Sequence, residues 1–431
     1  MPADDTHEEK YDDNNSTGTI DPPQWPGRDR LNWLIYLTFV RRDFKECMSL
    51  IEQQLRAHRG LCEYPLYAKG LLLRMEGKIA DSLLLFQAAI CLNPDSSTYL
   101  KQVGRCFYLL GKHKAALGVY DQAEKLCSED WEVWHNKGLC YTYLRHNDAA
   151  AAAYEQANSI CRHDATFLQL GRVLQLKGDA AAAVAVYEEA LEFSPESSEL
   201  LTALGLLHLG AGRGAQAFDC LGSALTHDAR NVRAILAAGS VMQDNDDMDV
   251  ALVKYRVAAV HAPNSAQLWN NVGMCFYGKG KLVAAVACLK RAQYLDPFAW
   301  KVNFNLGLIH LGTQQYASAF HYFSAAINMN PAHARSYAHL GVALSRLDDF
   351  DNACAAYDKA LELDGGDATT VLNYAIALCA NDEPERARAL YERLTRLMED
   401  GAGYAEERDA DVIAQMLALQ RTLGLGLEAH Q

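Results

Sequence analysis

Small side chains recur along this chain at a fixed interval, and larger apolar side chains surround them with the period of an α-helix. The interval is 34 residues, and only the step from Gly138 to Gly171 is one residue shorter. This first column contains Gly70, Gly104, Gly138, Gly171, Gly205, Gly239, Gly273, Gly307, Gly341 and Ala375. A repeat of this length is typical of a helix–turn–helix unit, so the pattern predicts a pair of α-helices in each repeat.

Two further columns keep the same register in the second helix of each repeat. The second column contains Ser82, Ala116, Ala150, Ala183, Ala217, Ala251, Ala285, Ala319, Ala353 and Ala387. The third contains Ala89, Ala123, Ala157, Ala190, Ala224, Ala258, Ala292, Ala326 and Ala360. Two helices cross closely only where the side chain is a hydrogen or a methyl group, and large residues such as Tyr120 and Tyr154 fill the space beside the crossing. Because one pair cannot bury its apolar face alone, the pairs are expected to stack into a solenoid.

The stretch from Trp269 to Pro297 gives the fullest form of the repeat. Its aromatic, small and terminal positions are Trp269, Val272, Gly273, Phe276, Ala285, Leu289, Ala292 and Pro297, which is the tetratricopeptide pattern. We therefore predict an all-α fold: a tetratricopeptide-repeat (TPR) α-solenoid superhelix of about eleven helix pairs with a C-terminal capping helix.

Three segments follow from this register. Residues 1–30 are polar, acidic and punctuated by proline, which predicts a disordered acidic N-terminal segment. Residues 31–401 are predicted to form the TPR superhelix, with pairs that start near residues 28, 63, 97, 131, 164, 198, 232, 266, 300, 334 and 368. Residues 402–431 are predicted to form the capping helix and a tail. The apolar face of that helix is expected to consist of Val412, Ile413, Met416, Leu417 and Leu423.

Composition and charge exclude several classes of binding partner and of cellular environment. The chain has 431 residues and a net charge of −14, with 54 acidic and 40 basic side chains, so generic nucleic-acid binding is not expected. The N-terminus has no apolar core of a secretory signal, and apolar runs such as Ala180–Val186 are too short to insert across a membrane. The twelve cysteines include no Cys-x-x-Cys pair, so we interpret them as small buried apolar residues in a reducing cytosol rather than as disulfides or metal ligands.

Motifs that resemble catalytic sites fall inside the repeats. The run from Gly273 to Gly280 resembles a phosphate-binding loop, but it lacks the final Ser or Thr and lies within a repeat helix. Gly210, Gly212 and Gly214 fall at a turn between helices, and no His-Glu-x-x-His motif or serine nucleophile elbow is present. We therefore predict a protein that is not an enzyme, without a catalytic residue, cofactor or metal.

The candidate function lies on the concave face, which the first helix of each TPR pair lines at its second, fifth, ninth, twelfth and thirteenth positions. These columns contain only four acidic residues, Asp29, Glu132, Glu199 and Asp244. They contain eight basic residues: Arg74, Lys101, Arg105, Arg172, Arg233, Lys301, Arg335 and Arg346. The predicted partner-binding groove comprises Lys101, Arg105, Arg172, Arg233, Lys301, Arg335, Arg346, Leu206, Leu209, Phe304, Leu308 and Leu311.

Such a basic and apolar groove suits an extended or helical acidic peptide, because arginine pairs with carboxylates through two hydrogen bonds. The alternative for each charge is a solvated side chain or an ion pair within the repeats. Asn136, Asn271, Asn305 and Asn373 share the sixth position of their pairs, and we assign no function to them.

Several strings go beyond the general TPR pattern. They are Asn32–Ile35, Gly60–Tyr64, Leu110–Ala116, Ala234–Ser240, Leu268–Phe276 and Gln315–His321. In these strings the chain resembles the Bardet–Biedl syndrome 4 family over roughly residues 31–394, which is most of its length. That family consists of non-catalytic subunits of the BBSome, an eight-subunit coat-like complex that moves membrane proteins into and out of cilia and flagella.

The resemblance also implies partners and a location. They would be the other BBSome subunits, among them a small extended subunit that threads the superhelix, and indirectly an ADP-ribosylation-factor-like (ARF-like) GTPase and membrane cargo. Pericentriolar material and dynactin are further implied partners, because family members resemble a centrosomal adaptor. The implied location is the cytoplasm, the cilium or flagellum, its base, and the basal body or centrosome.

Two other functions remain open at this point. A TPR co-chaperone or centrosomal adaptor would bind acidic peptide segments. Lys101 and Asn136 fit the carboxylate clamp of such co-chaperones, whereas Arg105, Ala165 and Gln169 do not. An enzyme that carries the repeats as a targeting arm would need a catalytic domain of about 150 residues, and no stretch outside the repeats is that long.

Overall fold

The computed structural model describes residues 29–400 and 409–423, which form α-helices and connecting turns and include no β-strand. These residues divide into two compact units at the boundary between Pro195 and Glu196. In both units consecutive helices pack as antiparallel pairs, so the predicted all-α TPR fold is confirmed.

Unit 1 contains five helix pairs. Their helices are α1 (Asn32–Val40), α2 (Phe44–Ala57), α3 (Glu63–Met75), α4 (Ile79–Leu92), α5 (Ser97–Leu109), α6 (His113–Leu126), α7 (Trp131–Tyr143), α8 (Asn147–Ile160), α9 (Asp164–Lys177) and α10 (Ala180–Phe193).

Unit 2 contains six further pairs and one last helix. They are α11 (Ser198–Gly210), α12 (Gly214–His227), α13 (Val232–Asp244), α14 (Met248–His261), α15 (Ala266–Gly278), α16 (Leu282–Leu295), α17 (Trp300–Gly312), α18 (Tyr316–Met329), α19 (Ala334–Ser345), α20 (Phe350–Leu363), α21 (Ala368–Ala380), α22 (Pro384–Asp400) and α23 (Asp409–Thr422).

The first helices of ten pairs begin at the residues that the 34-residue register indicates, from Glu63 in α3 to Ala368 in α21. The earliest pair begins at Asn32 rather than near residue 28. Most of the predicted acidic N-terminal segment, residues 1–28, lies outside the described residues. The single superhelical domain over residues 31–401 stays a prediction.

Each glycine of the first column faces a large side chain that lies sixteen residues later in the same pair. A methyl group at Gly104 would lie 2.6 Å from a ring carbon of Tyr120, and one at Gly138 would lie 2.5 Å from Tyr154. The same holds where the facing residue is Leu221, Leu289 or Phe323. Since these facing side chains are all buried, glycine at the crossing is what allows the two helices to approach.

A second constraint fixes the turn inside each pair. The fifteenth residue of the pair adopts a left-handed backbone conformation, with φ of +74° at Gly111 and +85° at Gly178. Glycine is the residue that takes this conformation without steric cost. Arg145, Asp246 and Gln314 hold the same conformation in their pairs, with φ near +60°.

The last described helix, α23, packs on α21 as the predicted cap, but the predicted apolar face is partly wrong. Val412 and Met416 pack against the core and Leu423 is buried. Ile413 and Leu417 are exposed, and the unpredicted Leu419 is buried in their place. The buried positions therefore recur at spacings of four and three residues, which is one face of a helix.

The interpretation of the cysteines holds for part of the set. Cys47, Cys62, Cys106, Cys140 and Cys275 are buried. Cys91 and Cys161 are exposed, so for them it is wrong. Cys91 lies in the last turn of α4 and Cys161 follows the last residue of α8, where the pair junction opens to solvent. Across the described residues, no helix is both long and apolar enough to cross a membrane.

Candidate partner-binding surface

A polar cavity lies along the first helices of unit 1. It has a volume of about 330 Å³, and every residue of its lining comes from α3, α5, α7 or α9. The lining consists of Arg74, Lys101, Gln102, Arg105, Trp131, Glu132, His135, Asn136 and Ala165. We call it the α3–α9 cavity. It includes two predicted groove residues, Lys101 and Arg105.

Lys101 is already neutralised within the repeats. Its ammonium lies 2.7 Å from the carboxylate of Asp130 and 2.8 Å from that of Glu132. Burial acts to lower the pKa of Lys101, but the hydrogen bonds that it donates to these two carboxylates outweigh burial and raise that pKa. The ammonium therefore stays charged, and it links α5 to the start of α7.

Arg74 and Arg105 supply the free positive charge of the cavity. Among the described residues neither guanidinium has a carboxylate within ion-pair distance. Arg74 donates a hydrogen bond of 2.6 Å from Nη1 to Gln102 Oε1 and lies 5.6 Å from the centre of the Phe86 ring. Burial lowers the pKa of Arg74, so a carboxylate from another molecule would relieve an uncompensated cation there.

His135 forms the neutral wall of the same cavity. Burial is the main cause that lowers its pKa to about 4, and the neighbouring His163 and Arg105 act in the same direction. His135 Nδ1 lies 3.0 Å from Thr166 Oγ1, and Trp131 stacks on His163 at a centroid distance of 4.9 Å. The ring is therefore uncharged at neutral pH and is held in place by α9.

Unit 2 has a second cavity on its first helices, with a volume of about 340 Å³. Its lining consists of Leu236, Ala266, Gln267, Asn270, Asn271, Asp296, Ala299, Trp300, Lys301 and Val302. We call it the α13–α17 cavity. Lys301, a predicted groove residue, is exposed at its edge with its ammonium 5.7 Å from the centre of the Trp300 ring.

Two residues of the α13–α17 cavity lining, Asn270 and Asn271, belong to a chain of hydrogen-bonded carboxamides. Asn305 Nδ2 donates to Asn270 Oδ1 at 2.8 Å, Asn270 Nδ2 to Asn271 Oδ1 at 3.2 Å, and Asn271 Nδ2 to the Tyr255 hydroxyl at 3.3 Å. Carboxamides both donate and accept hydrogen bonds, which matches the groups of a peptide main chain.

The other predicted basic residues lie outside both cavities. Arg172 on α9, Arg233 on α13, and Arg335 and Arg346 at the two ends of α19 are exposed. They have no ion pair with any residue in the described part of the chain. Their charge is therefore open to solvent, and their part in partner binding stays a prediction.

The predicted apolar residues are half-buried. Leu206 and Leu209 pack against the core around Leu221, and Leu209 also lines a different cavity near the turns of α11–α14. Phe304, Leu308 and Leu311 pack against a core cluster that contains Ala319, Phe323 and Ala343. Much of their apolar surface is thus used inside the unit, and only the remainder faces outward.

Sequence reasoning left out several cavity residues. Arg74 stands in the groove columns but was not placed in the predicted site. Asn136 and Asn271 occupy the sixth position of their pairs, and Gln102 holds that position in α5. The signal in the sequence is therefore the sixth position of each pair, to which the repeat pattern alone assigns no function. In the described residues no cluster of three His, Cys, Asp or Glu side chains is placed to hold a metal ion.

Comparison with known proteins identifies the family to which the chain belongs. Tetratricopeptide repeat family models match residues 67–130, 132–164, 165–197, 266–298 and 304–368. The chain is 47% identical to BBSome complex member BBS4 of Bos taurus over 409 residues, which cover 95% of this chain and 78% of that protein. It is 32% identical to the BBSome complex member BBS4 homolog of Drosophila melanogaster over 373 residues, which cover 82% and 76% of the two chains. Because the similarity spans nearly the whole chain and the paired TPR helices, this protein belongs to the BBS4 family of BBSome complex members.

Proposed function

We propose that this protein is a non-catalytic scaffold subunit of a BBSome, the coat-like complex that traffics membrane proteins to and from cilia or flagella. The observation that carries the proposal is the 47% identity to a BBSome complex member over 95% of the chain. Paired helices occupy most of residues 32–400 in the described structure, and the first helices of each unit line a cavity.

We further propose that the first-helix faces of both units bind other polypeptides of that complex. One partner is a small extended subunit threaded along the groove, as the family resemblance implies. Arg74 and Arg105 in the α3–α9 cavity support this, because two cations without a carboxylate would accept acidic side chains of such a segment. The carboxamides of the α13–α17 cavity would bind its main chain.

The remaining parts of the proposal follow from membership of the complex. An ARF-like GTPase and membrane cargo would be reached through other subunits. The protein would act in the cytoplasm, at the ciliary base and in the cilium, with pericentriolar material and dynactin as further partners. The negative charge of the whole chain supports a protein partner over nucleic acid.

The second candidate is a TPR co-chaperone or centrosomal adaptor that binds acidic peptide segments. Asn136 lines the α3–α9 cavity as a carboxylate clamp requires. Lys101 argues against the clamp, because Asp130 and Glu132 already bind its ammonium. We therefore favour the scaffold.

The test is a double charge reversal, Arg105→Glu with Arg172→Glu, in the full chain expressed in ciliated cells. Both side chains are exposed, so the fold should be kept, and recovery of the extended subunit should fall at least tenfold. The matched control is Arg213→Glu with Arg230→Glu, which changes the net charge equally at exposed residues outside the groove columns.

Each outcome decides between the candidates. Purification of the wild-type chain with a defined set of BBSome subunits supports the scaffold, whereas chaperones alone support the second candidate. If the Arg105/Arg172 variant recovers every partner as well as the control does, the groove assignment is wrong even where the scaffold function stands.

A further inference from the structure

Helix α14 of unit 2 exposes an aliphatic stripe on the side that faces away from its partner helix. Val250, Val253, Val257 and Val260 are between 43% and 78% exposed. The opposite side of the same helix is buried through Ala251, Tyr255 and Ala258. The helix is thus apolar on two faces, of which its own unit covers only one.

The other second helices of unit 2 act as internal controls. At the same four register positions α12 carries Gln216, Asp219, Ser223 and Thr226, and α20 carries Asn352, Ala355, Lys359 and Glu362. Stacking of TPR pairs therefore does not require apolar residues at these positions. Valine also has a lower helix propensity than Arg, Lys, Gln and Glu, so helix formation alone does not account for four valines at these exposed positions of α14.

The spacing of the stripe identifies the shape of what would cover it. The steps from Val250 to Val260 are three, four and three residues, which are the a and d positions of a heptad repeat. This spacing forms the narrow seam along which a second α-helix packs, with side chains of each helix inserted between those of the other. An extended strand would instead contact alternate residues.

Charges beside the seam define the chemistry of that helix. Lys254 and Arg256 occupy the e and g positions on the two sides of the seam. Neither has an ion pair among the residues that the structure describes, whereas Asp249, at the preceding g position, is paired with Lys279. Acidic residues at the e and g positions of the partner would therefore meet two open cations.

A cavity adjoins the N-terminal end of the stripe. It has a volume of about 640 Å³ and is lined by Val250 together with Phe218, Leu209 and Met242, with Asp244 and Asp247 at its polar side. Its apolar walls suit large anchoring side chains of the partner. The two carboxylates disfavour an anionic membrane surface at this end and favour a basic residue beside the anchor.

We propose that the exposed face of α14 is a docking surface for an amphipathic α-helix of another polypeptide, with an apolar heptad seam flanked by acidic residues. The stripe lies on a second helix, whereas the groove residues lie on first helices. The two proposed surfaces meet only at the cavity that Leu209, Asp244 and Val250 line. A second copy of this chain is the main competing occupant, because Arg256 and Asp249 could pair across an antiparallel α14 dimer.

The test uses two designed helical peptides and the full chain. Both peptides carry leucine at a and d over three heptads; one carries glutamate at e and g, and the other carries lysine. Binding of the fluorescent peptides is measured by anisotropy. We expect the acidic peptide to bind at least tenfold more tightly than the basic peptide, and Lys254→Glu with Arg256→Glu to reverse this preference.

Two further variants test whether peptide binding depends on the valine stripe or on exposed apolar surface in general. Val253→Glu with Val257→Glu should abolish binding, and the milder Val253→Ala with Val257→Ala should weaken it severalfold while the fold is kept. Val283→Glu is the matched control, because Val283 is 87% exposed on α16 outside the stripe, and binding should stay within twofold.

Three results would overturn the proposal. The first is equal binding of both peptides, or of neither. The second is a chain that sediments as a dimer and becomes monomeric in the Val253/Val257 variants, which would make the stripe a self-association surface. The third is binding to phosphatidylserine-containing vesicles that depends on the same valines.

Discussion

Adding one methyl group to a glycine should have opposite effects at two positions of unit 1. Gly138 faces Tyr154 across the α7–α8 crossing, and Gly118 lies on α6 with nothing within 4 Å of an added methyl group. Both are inside helices, where Gly→Ala alone stabilises by about 1 kcal/mol. Gly118→Ala should therefore raise the free energy of unfolding by about that amount.

At Gly138 the steric cost of the added methyl group is larger than the free energy gained from the higher helix propensity of alanine. The methyl carbon would lie 2.5, 2.7 and 2.8 Å from three ring carbons of Tyr154, whereas carbon atoms pack at about 3.5–4.0 Å. Tyr154 has no exposed surface, and its hydroxyl lies 3.3 Å from Thr142 Oγ1, so the ring cannot move away freely. Overpacking of this kind costs about 1–3 kcal/mol. Gly138→Ala should thus be net destabilising by up to about 2 kcal/mol.

The assay is urea unfolding of the full chain followed by far-UV circular dichroism. A double-mutant cycle completes it: in a Tyr154→Ala background the steric term is gone, so Gly138→Ala should stabilise by about 1 kcal/mol, as at Gly118. If Gly138→Ala and Gly118→Ala shift the midpoint in the same direction in the wild-type background, the close crossing does not explain the glycine column.

Two further predictions concern α7. The folded-state pKa of His135 is lowered from 6.5 to about 4, so stability that is present above pH 6.5 should be lost as pH falls from about 6.5 to about 4, by up to about 1.4 kcal/mol per pH unit. His135→Gln should flatten this part of a pH titration of the unfolding midpoint; an unchanged slope would refute the assignment. Lys137 is buried, with its ammonium 2.7 Å from Asp121 and 2.6 Å from Glu124. Lys137→Met should lower the free energy of unfolding by about 1–2 kcal/mol, less than for a fully buried pair because both carboxylates are partly exposed. Thermal unfolding of this variant at low and high salt is the measurement, and equal stability of the variant and the wild type would contradict it.

The helix pairs could be predicted from the sequence because the residues that determine their packing recur at a fixed interval. Glycine at the crossing and a large residue sixteen positions later are both visible without coordinates, as Gly104 and Tyr120 illustrate. The last helix has no repeat column to fix its rotation. Its buried face depends on how it meets α21, and this is why Leu419 was missed and Ile413 was wrongly included.

The candidate site was less predictable for a different physical reason. Lys101 looked like an open charge, yet Asp130 and Glu132 lie 29 and 31 residues later and reach it across the pair junction. Such pairing depends on the rotamers of long side chains, and the residue type at a repeat position does not specify them. Arg105 is also a basic residue at a groove position of α5, yet it has no ion pair among the described residues. Residue type and repeat position alone therefore did not distinguish the paired Lys101 from the unpaired Arg105.

The glycine–ring contacts join helices of the same pair, Gly70 with Phe86 and Gly307 with Phe323. Each hairpin therefore has its own glycine–ring contact, and the ring also packs against the next hairpin, as Phe86 does against Val103 and Cys106. A missense change in such a contact should disturb its own hairpin and the one after it, so that the chain is still made but loses the partner bound beside these two hairpins. Mapping which partner is lost for each altered glycine would then assign binding partners to hairpins without a structure of the assembly.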